Sequence, residues 1–351
     1  MHKIVFTGGG SAGHVIPNLA IIEELQKAYP FDLYYFGTDG IERGLVAPKK
    51  LPYFSYSAPK LKRGCGWDSV KNNLTIPHKL SCAVKQAKAE LTRIQPDLVF
   101  SKGGYVAVPT VLAASKLGIP CITHESDLSP GLANRLIQSK CQRVLTAFPE
   151  TAERFKNGIY CGQPLRSSLF GQSKSQAKKL LTGSTPRKVI LVFGGGSGST
   201  AINDAVRSIA PELCRRYYLL HVCGKGNVVD SRVEYYRQFE FIADMGAAYA
   251  CADLIISRAG AGAVFETMAL KKPAIFSPLE GQTRGDQKEN ADYFLRRQLC
   301  YVLPQSKLSD LKKTIDTALC DDGLKERLLL SPYGSGTKSA VQAILDLIGK
   351  A

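Results

Sequence analysis

His14 closes a run of small residues, TGGGSAGH over 7–14, that follows a short apolar strand, Ile4–Phe6. A neutral imidazole at the mouth of a cleft can act as a general base near pH 7. The plainer reading is a histidine that caps or packs at a helix start. Gly8, Gly10 and Gly13 also satisfy G-x-G-x-x-G, with Asp39 beyond the next strand, so an NAD-dependent oxidoreductase is a second functional reading. A histidine directly after the last glycine suggests catalysis more than cofactor packing. A further constellation lies between Ala252 and Ala291. There the strand Leu254–Ser257 enters a turn of small residues, Arg258–Gly262, and then a helical run, Ala263–Leu270. Ala259, Gly260, Ala261 and Gly262 let a ligand approach the helix N-terminus, where free N–H groups and the helix dipole favour phosphate. Glu266, one turn in, can accept hydrogen bonds from a diol such as a ribose. The plainer reading leaves the glycines to strand–helix packing and Glu266 to solvent. A polar loop, Glu280–Asn290, ends the stretch.

Both constellations require a parallel strand that runs into a helix, and the chain supplies that unit repeatedly. After Ile4–Phe6, Pro17 fits the first turn of a helix whose apolar residues Leu19, Ile22 and Leu25 are near helical spacing. Leu33–Phe36 and Pro96–Phe100 read as strands, Gly103 and Gly104 as a second glycine turn, and Val111–Leu117 as a helix. Ile119–Thr123 is a strand with His124, Glu125, Ser126 and Asp127 directly beyond it, where parallel sheets place ligand contacts. Val189–Phe193 then leads into GGGSGS at Gly194–Ser199, so the opening pattern recurs. The expectation is an α/β chain with two Rossmann-like domains in tandem, their parallel sheets facing across a cleft with a glycine loop from each side. Such a cleft suits a nucleotide-sugar donor on one domain and an acceptor hydroxyl on the other. A helix N-terminus and a basic residue could stabilise the leaving diphosphate without a metal.

A length of 351 residues fits two domains, and 44% hydrophobic with 22% charged residues is ordinary globular composition. The net charge of +16 favours acidic partners: nucleotide phosphates, nucleic acid or an anionic membrane surface. The ten cysteines form no C-x-x-C and no zinc spacing, which suggests free thiols in a reducing compartment. Met1 leads almost directly into a strand, leaving no room for a signal peptide, and no apolar run is long enough to span a membrane. Lys60–Gln86 is basic, carries Lys60, Lys62, Arg63, Lys71, Lys79, Lys85 and the single Trp67, and has spaced apolar residues at Val70, Leu74, Ile76 and Leu80. It reads either as a helix with a solvated basic face or as a surface that rests on anionic lipid. Ser339–Ile348 has the pattern of an amphipathic helix.

Segments distributed over nearly the whole chain carry a resemblance: GGSAGHVIP (9–17), GIERGLV (40–46), PDLVFSKGGYVAVP (96–109), GIPCITHESDLSPGLANR (118–135), GQPLR (162–166), GGGSG (194–198), FIADMGAAYACADLIISRAGAGAVFE (241–266) and DQKENA (286–291). In these the chain resembles the MurG family of glycosyltransferase family 28. The resemblance implies a GT-B enzyme that transfers N-acetylglucosamine, with inversion, from UDP-N-acetylglucosamine to the 4-hydroxyl of a lipid-linked muramyl-peptide (lipid I). His14 matches the proposed base. Ser11, Ala12 and Gly13 match the loop that approaches the donor sugar and the acceptor diphosphate, with Gly10, Gly103, Gly104 and Tyr105 as further acceptor-diphosphate positions. Asp127 matches a sugar contact, and Arg166 and Gly196 match positions near the diphosphate. Phe241 and Ile242 match the uracil site. Ala261, Gly262, Ala263, Val264, Phe265 and Glu266 match the phosphate and ribose segment, with Glu266 on the ribose hydroxyls. Gln287 and Asn290 match the loop that holds the sugar.

The sequence departs from the family's pattern at four of these positions. Ala12 replaces a glycine, Asp127 an asparagine, Gly196 a serine, and Asp286 an amide or imidazole. These departures leave the donor class intact and bear on the acceptor and the exact sugar. The expected organisation is an acceptor- and membrane-facing domain over 1–162, a UDP-sugar domain over 163–335, and a C-terminal helix, 336–351, packing back on the first domain. The expected partners are the UDP-sugar, the lipid-linked acceptor and the anionic inner surface of the bacterial cell membrane, where the protein is peripheral; no metal, cofactor or nucleic acid is expected. The other readings are a related transferase with a different lipid or glycan acceptor, the oxidoreductase, and a non-catalytic membrane-surface protein.

Overall fold

A computed structural model describes residues 2–62, 66–281 and 285–349. Arg63 and Cys65, and positions 282–284 of the polar loop, lie outside the described residues, as does the side chain of Trp67. The chain divides into two compact units, residues 1–166 with 335–351, and residues 167–334. The divisions fall at Arg166/Ser167 and Gly334/Ser335 rather than at 162/163 and 335/336. The reason is local: Gln163 accepts the amide of Gly336 at 2.8 Å, and Leu165 donates its amide to Thr337 Oγ1 at 3.0 Å. Residues 163–166 are thereby bonded to the segment that opens the C-terminal helix.

The first unit is built on seven strands: β1 Lys3–Thr7, β2 Asp32–Gly37, β3 Tyr53–Ser55, β4 Leu98–Ser101, β5 Cys121–Glu125, β6 Arg143–Thr146 and β7 Gly158–Tyr160. All pair in parallel, in the order β3-β2-β1-β4-β5-β6-β7. Their apolar runs are continuous because helices cover both faces. The helices Ala12–Ala28 and Thr337–Leu347 share one core with Ile4, Phe6 and Phe100. The helices Ile76–Ile94 and Ala107–Lys116 share the other with Val5, Phe36 and Val99. The C-terminal helix thus supplies Val341, Ile344 and Leu345 to the core of the unit that the chain begins. At roughly 1.5–3 kcal/mol for each fully buried large apolar side chain, its contribution to that core is substantial.

The second unit has six parallel strands: β8 Lys188–Phe193, β9 Tyr217–Val222, β10 Tyr236–Phe239, β11 Leu254–Ser257, β12 Ala274–Phe276 and β13 Tyr301–Val302. Their order is β10-β9-β8-β11-β12-β13. In both sheets the order reverses beside the first strand, between β1 and β4 and between β8 and β11. Open parallel sheets bind ligands beyond the strand ends at that reversal. The topology therefore directs attention to the loops after β1 and β4 in one unit, and after β8 and β11 in the other.

Three local expectations change. His124 and Glu125 belong to β5 and are buried, instead of following the strand. The Lys60–Gln86 segment holds two helices, Trp67–Leu74 and Ile76–Ile94, and the second reaches the core through Ala83, Val84, Ala87, Leu91 and Ile94. Gln287 and Asn290 stand on a helix, Asp286–Arg296, and not in a loop. Its Asn290, Tyr293 and Phe294 are buried at helical spacing, which outweighs the polarity of the intervening residues.

Candidate functional site

In the first unit, the loop after β1 carries Gly8, Gly9, Gly10 and Ser11 into the helix Ala12–Ala28. Ser11 stands at the N-cap but makes no capping bond; its Oγ lies 3.0 Å from His14 Nδ1 instead. The same nitrogen lies 3.1 Å from the carbonyl oxygen of Gly9. A carbonyl only accepts, so Nδ1 carries the proton and the lone pair of the neutral ring is on Nε2. Burial, then the Lys102 ammonium, pushes His14 down to about 4, against smaller upward pulls from Glu125, the Gly9 carbonyl and Glu42. At neutral pH His14 is an uncharged imidazole with a basic Nε2.

Two groups absent from the expected site hold this loop. Glu42 is wholly buried; its Oε2 accepts the amide of Gly10 at 3.0 Å, and its Oε1 accepts the amide and hydroxyl of Thr38. Lys102, 1% exposed, follows β4 and donates its amide to Thr7 O at 2.9 Å. The signals in the sequence were an acid within GIERGLV and a lysine between an apolar strand and a glycine pair. Gly104 adopts φ +77°, and a Cβ there would lie 2.9 Å from Gly9 O and 3.1 Å from His14 Nδ1. The turn of Gly103, Gly104 and Tyr105 therefore abuts the His14 loop, and the ring of Tyr105 lies against Gly10.

Glu125 organises the loop beyond β5. Its Oε1 accepts the amides of Ser126 and Asp127, and its Oε2 accepts the amide of Gly131 and Nδ2 of Asn134, all at 2.7–3.0 Å. Asp127 is half-buried in that loop. Arg166, expected among the donor contacts, is the last residue of the first unit before the chain enters the second. Asp39, the acid a dinucleotide reading requires, pairs with Arg43 on the surface.

In the second unit, Gly194–Ser199 follows β8. Gly198 has φ +77°, and a Cβ there would lie 2.0 Å from the Cys223 carbonyl, so glycine is required. Gly196 is exposed, with open space where a side chain would stand. After β11, Gly260 is the N-cap of the helix Ala261–Ala269, which has no side-chain cap. The first amides there, of Ala261, Gly262 and Ala263, are the orphan donors of a helix start and suit an anion. Val264 and Phe265 turn into the core, where Phe265 meets Phe294 edge-on. Glu266 is half-buried, and its Oε2 accepts the hydroxyl of Tyr249 at 2.9 Å. Beyond β10, Phe241 is 75% exposed while Ile242 is buried. Gln287 accepts the amide of Leu279 at 3.0 Å through Oε1, and Asn290 is wholly buried. Among the described residues no group of three His, Cys, Asp or Glu could hold a metal ion.

Residues 4–146 match the glycosyltransferase family 28 N-terminal domain, and residues 189–327 match the family 28 C-terminal domain. The UDP-N-acetylglucosamine–N-acetylmuramyl-(pentapeptide) pyrophosphoryl-undecaprenol N-acetylglucosamine transferase of Clostridium perfringens is 39% identical over 360 residues, covering 100% of this chain and 98% of that protein. The transferase of the same name from Lachnospira eligens is 42% identical over 316 residues, 88% of each chain. The crystal structure of Acinetobacter baumannii MurG is similar with a TM-score of 0.73 and 25% identity, covering 100% of this chain and 99% of that one.

Proposed function

The chain belongs to glycosyltransferase family 28, and from that membership we propose that it moves N-acetylglucosamine from UDP-N-acetylglucosamine to the 4-hydroxyl of undecaprenyl-diphospho-N-acetylmuramoyl-pentapeptide. The product is the lipid-linked disaccharide used for peptidoglycan. The observation that carries this reading is the 39% identity, over the whole length of the chain, to a transferase of that name, on a chain whose glycine loops stand at both sheet reversals. The donor binds the second unit. Its diphosphate meets the amides at Ala261–Ala263 and the Gly194–Gly198 loop, its ribose meets Glu266, and its base lies by Phe241 and Ile242. Gln287 and Asn290 serve the sugar.

The acceptor hydroxyl is served by His14. Nε2 takes the hydroxyl proton as the oxygen bonds to C1 of the sugar, and the bond from C1 to the diphosphate oxygen breaks with inversion. Leaving-group charge is met by the helix N-terminus and backbone amides. The reaction in this form needs no cofactor, and transfer in the presence of a chelator tests that point.

The protein works from the cytoplasmic membrane surface as a peripheral enzyme. Leu61, Val70 and Leu74 are 47%, 42% and 75% exposed amid the exposed Lys60, Lys62, Lys71 and Lys79, the mixed chemistry that anionic lipid attracts. No helix of the described residues is long and apolar enough to cross a membrane. The test is transfer by the purified chain with a panel of UDP-sugars and lipid-linked acceptors. Preferred use of UDP-N-acetylglucosamine with the muramyl-peptide lipid is expected. Turnover with another acceptor, and none with this lipid, would overturn the assignment.

A further inference from the structure

Arg258 opens the turn between β11 and the helix Ala261–Ala269, and its backbone is held there by Ser257 Oγ, which donates to Arg258 O at 3.0 Å. Its guanidinium points its donors at the loop beyond β12. Nη1 donates to the carbonyls of Ser277 and Pro278, each at 3.2 Å, and Nη2 donates to Gln305 Oε1 at 2.6 Å. Ser277 and Pro278 are both buried, directly after the strand, where sheet pairing ends. Buried carbonyls need donors, and a planar fork meets several oxygens at once in a fixed geometry. The same loop is tied a second time, because Glu280 Oε2 accepts the amide of Ser306 at 3.1 Å. Gln305 and Ser306 begin the short 3-10 turn Gln305–Asp310. The residue between these two ties, Leu279, donates its amide to Gln287 Oε1 at 3.0 Å. An N–H can only meet the oxygen of that side-chain amide, so Gln287 is fixed in one sense. Its Oε1 is engaged with the loop, and its Nε2 has no partner among the described residues.

We propose that Gln287 reads the donor sugar as a hydrogen-bond donor, through Nε2 to a sugar oxygen, and that Arg258 is the positioning residue that holds it in that sense by fixing the loop Ser277–Leu279. The inference rests on the reading of Gln287 as a sugar contact. Arg258 touches no substrate atom in this role. It joins the turn before the phosphate-binding helix start to the amide that meets the sugar, along an unbroken path: guanidinium, two carbonyls, the Leu279 amide, Gln287 Oε1. A glutamate at 287 could still accept the Leu279 amide but would have no N–H to offer. An acceptor role for residue 287 and a donor role therefore predict opposite results for that substitution.

The test uses the full chain with Q287A, Q287E, R258M, R258K, and R258K combined with Q287A. Calorimetry gives Kd for UDP and for UDP-N-acetylglucosamine, and the ratio of the two isolates the sugar. Q287A and Q287E should each weaken the UDP-sugar, relative to UDP, by about three- to tenfold, the strength of one hydrogen bond. R258M leaves the carbonyls without their donor and should give the same sugar-selective loss. In R258K the ammonium reaches the carbonyls but gives up Gln305, so the loss is smaller. The combined variant should match Q287A, because two groups that act through one contact are not additive. A Q287E chain with the wild-type ratio overturns the proposal, since residue 287 then accepts. Equal weakening of UDP and UDP-sugar in R258M also overturns it, as do losses that add in the combined variant. If R258M does not fold, R258K decides: a loss confined to the UDP-sugar supports the role of Arg258, and no loss or an equal loss ends it. A wild-type ratio in Q287A removes Gln287 from the sugar and sinks the reading on which the proposal stands.

Discussion

Tyr249 donates its hydroxyl to Glu266 Oε2 at 2.9 Å, which fixes one oxygen of the proposed ribose ligand from inside the protein. Tyr249 is wholly buried on the helix Met245–Cys251, and its ring meets Phe193, the last residue of β8, edge-on at 5.9 Å. The carboxylate is therefore braced by the strand that leads into the glycine loop. Glu266→Ala should weaken UDP binding by about 1.5–3 kcal/mol, the worth of hydrogen bonds to a charged group. Tyr249→Phe keeps the ring and removes only the brace, so a smaller loss, about 0.5–1.5 kcal/mol, is expected. Calorimetric titration with UDP checks both. Wild-type affinity in Glu266→Ala would remove this residue from the ribose.

His14 is expected to separate binding from chemistry. His14→Ala should lower kcat by roughly 10²–10⁴-fold, the usual worth of a positioned general base. UDP affinity should hold, because the donor contacts lie on other residues. With His14 depressed to about 4, base function persists through mildly acidic pH and fails only as the pH falls toward that value. Single-turnover measurements from pH 5 to 8 would show a flat acid side if this is so. A limb with its midpoint near 6.5 contradicts the lowered titration of His14.

The strand–glycine–helix units were legible because each depends on a local pattern: an apolar run, small residues, then helical spacing. The repeat at Gly194 then implied the second sheet. What was not legible depended on contacts made far along the chain. Glu42 is an ordinary first-turn acid by sequence, and only the return of its helix to the β1 loop makes it a ligand of the Gly10 amide. Lys102 follows the strand rule for exposed residues until the sheet reversal buries it. The Asp286–Arg296 helix is hidden in the sequence by its polar opening, DQKEN, of which only Asn290 is buried, while the buried apolar residues that define its core face, Ala291, Tyr293 and Phe294, come later.

Acid should destabilise the second unit through His221. This residue is wholly buried on β9, with Nε2 3.0 Å from Asn203 Oδ1 and Nδ1 2.8 Å from the Tyr236 hydroxyl. Asn203 Nδ2 donates to Cys223 O, which leaves Oδ1 as the acceptor, so Nε2 carries the ring proton and Nδ1 accepts from tyrosine. Both nitrogens are occupied, and a second proton on Nδ1 requires the Tyr236 hydroxyl to turn from donor to acceptor. Burial, then Arg207, lowers it to about 4 from 6.5. The folded state thus binds its proton more weakly than the unfolded chain, so stability is full above pH 6.5 and declines as the pH falls toward 4. At about 1.4 kcal/mol per pKa unit, the loss is on the order of 3 kcal/mol. His221→Gln should lower stability at pH 7 yet flatten its slope between pH 6.5 and 4. Thermal melts over that range, with an unchanged slope in the variant, would exclude this group as the source.

Glu42→Gln tests whether the glycine loop is held by a carboxylate as such. All the groups that meet Glu42 are donors: the Gly10 amide on one oxygen, and the Thr38 amide and hydroxyl on the other. Hydrogen bonding from these groups outweighs the cost of burial and holds Glu42 below the ordinary carboxylate range, so it is ionised at neutral pH. A glutamine would turn its own N–H₂ toward one of those donors, leaving a buried group unpaired at a cost of about 1–3 kcal/mol. Where that donor is the Gly10 amide, the disturbance falls on the loop that sets Gly9 O, and with it the tautomer of His14. A fall in kcat with unchanged UDP affinity is therefore expected, together with a lower melting temperature. Equal losses in donor binding and turnover would mean that Glu42 supports the fold at large and has no specific part in orienting His14.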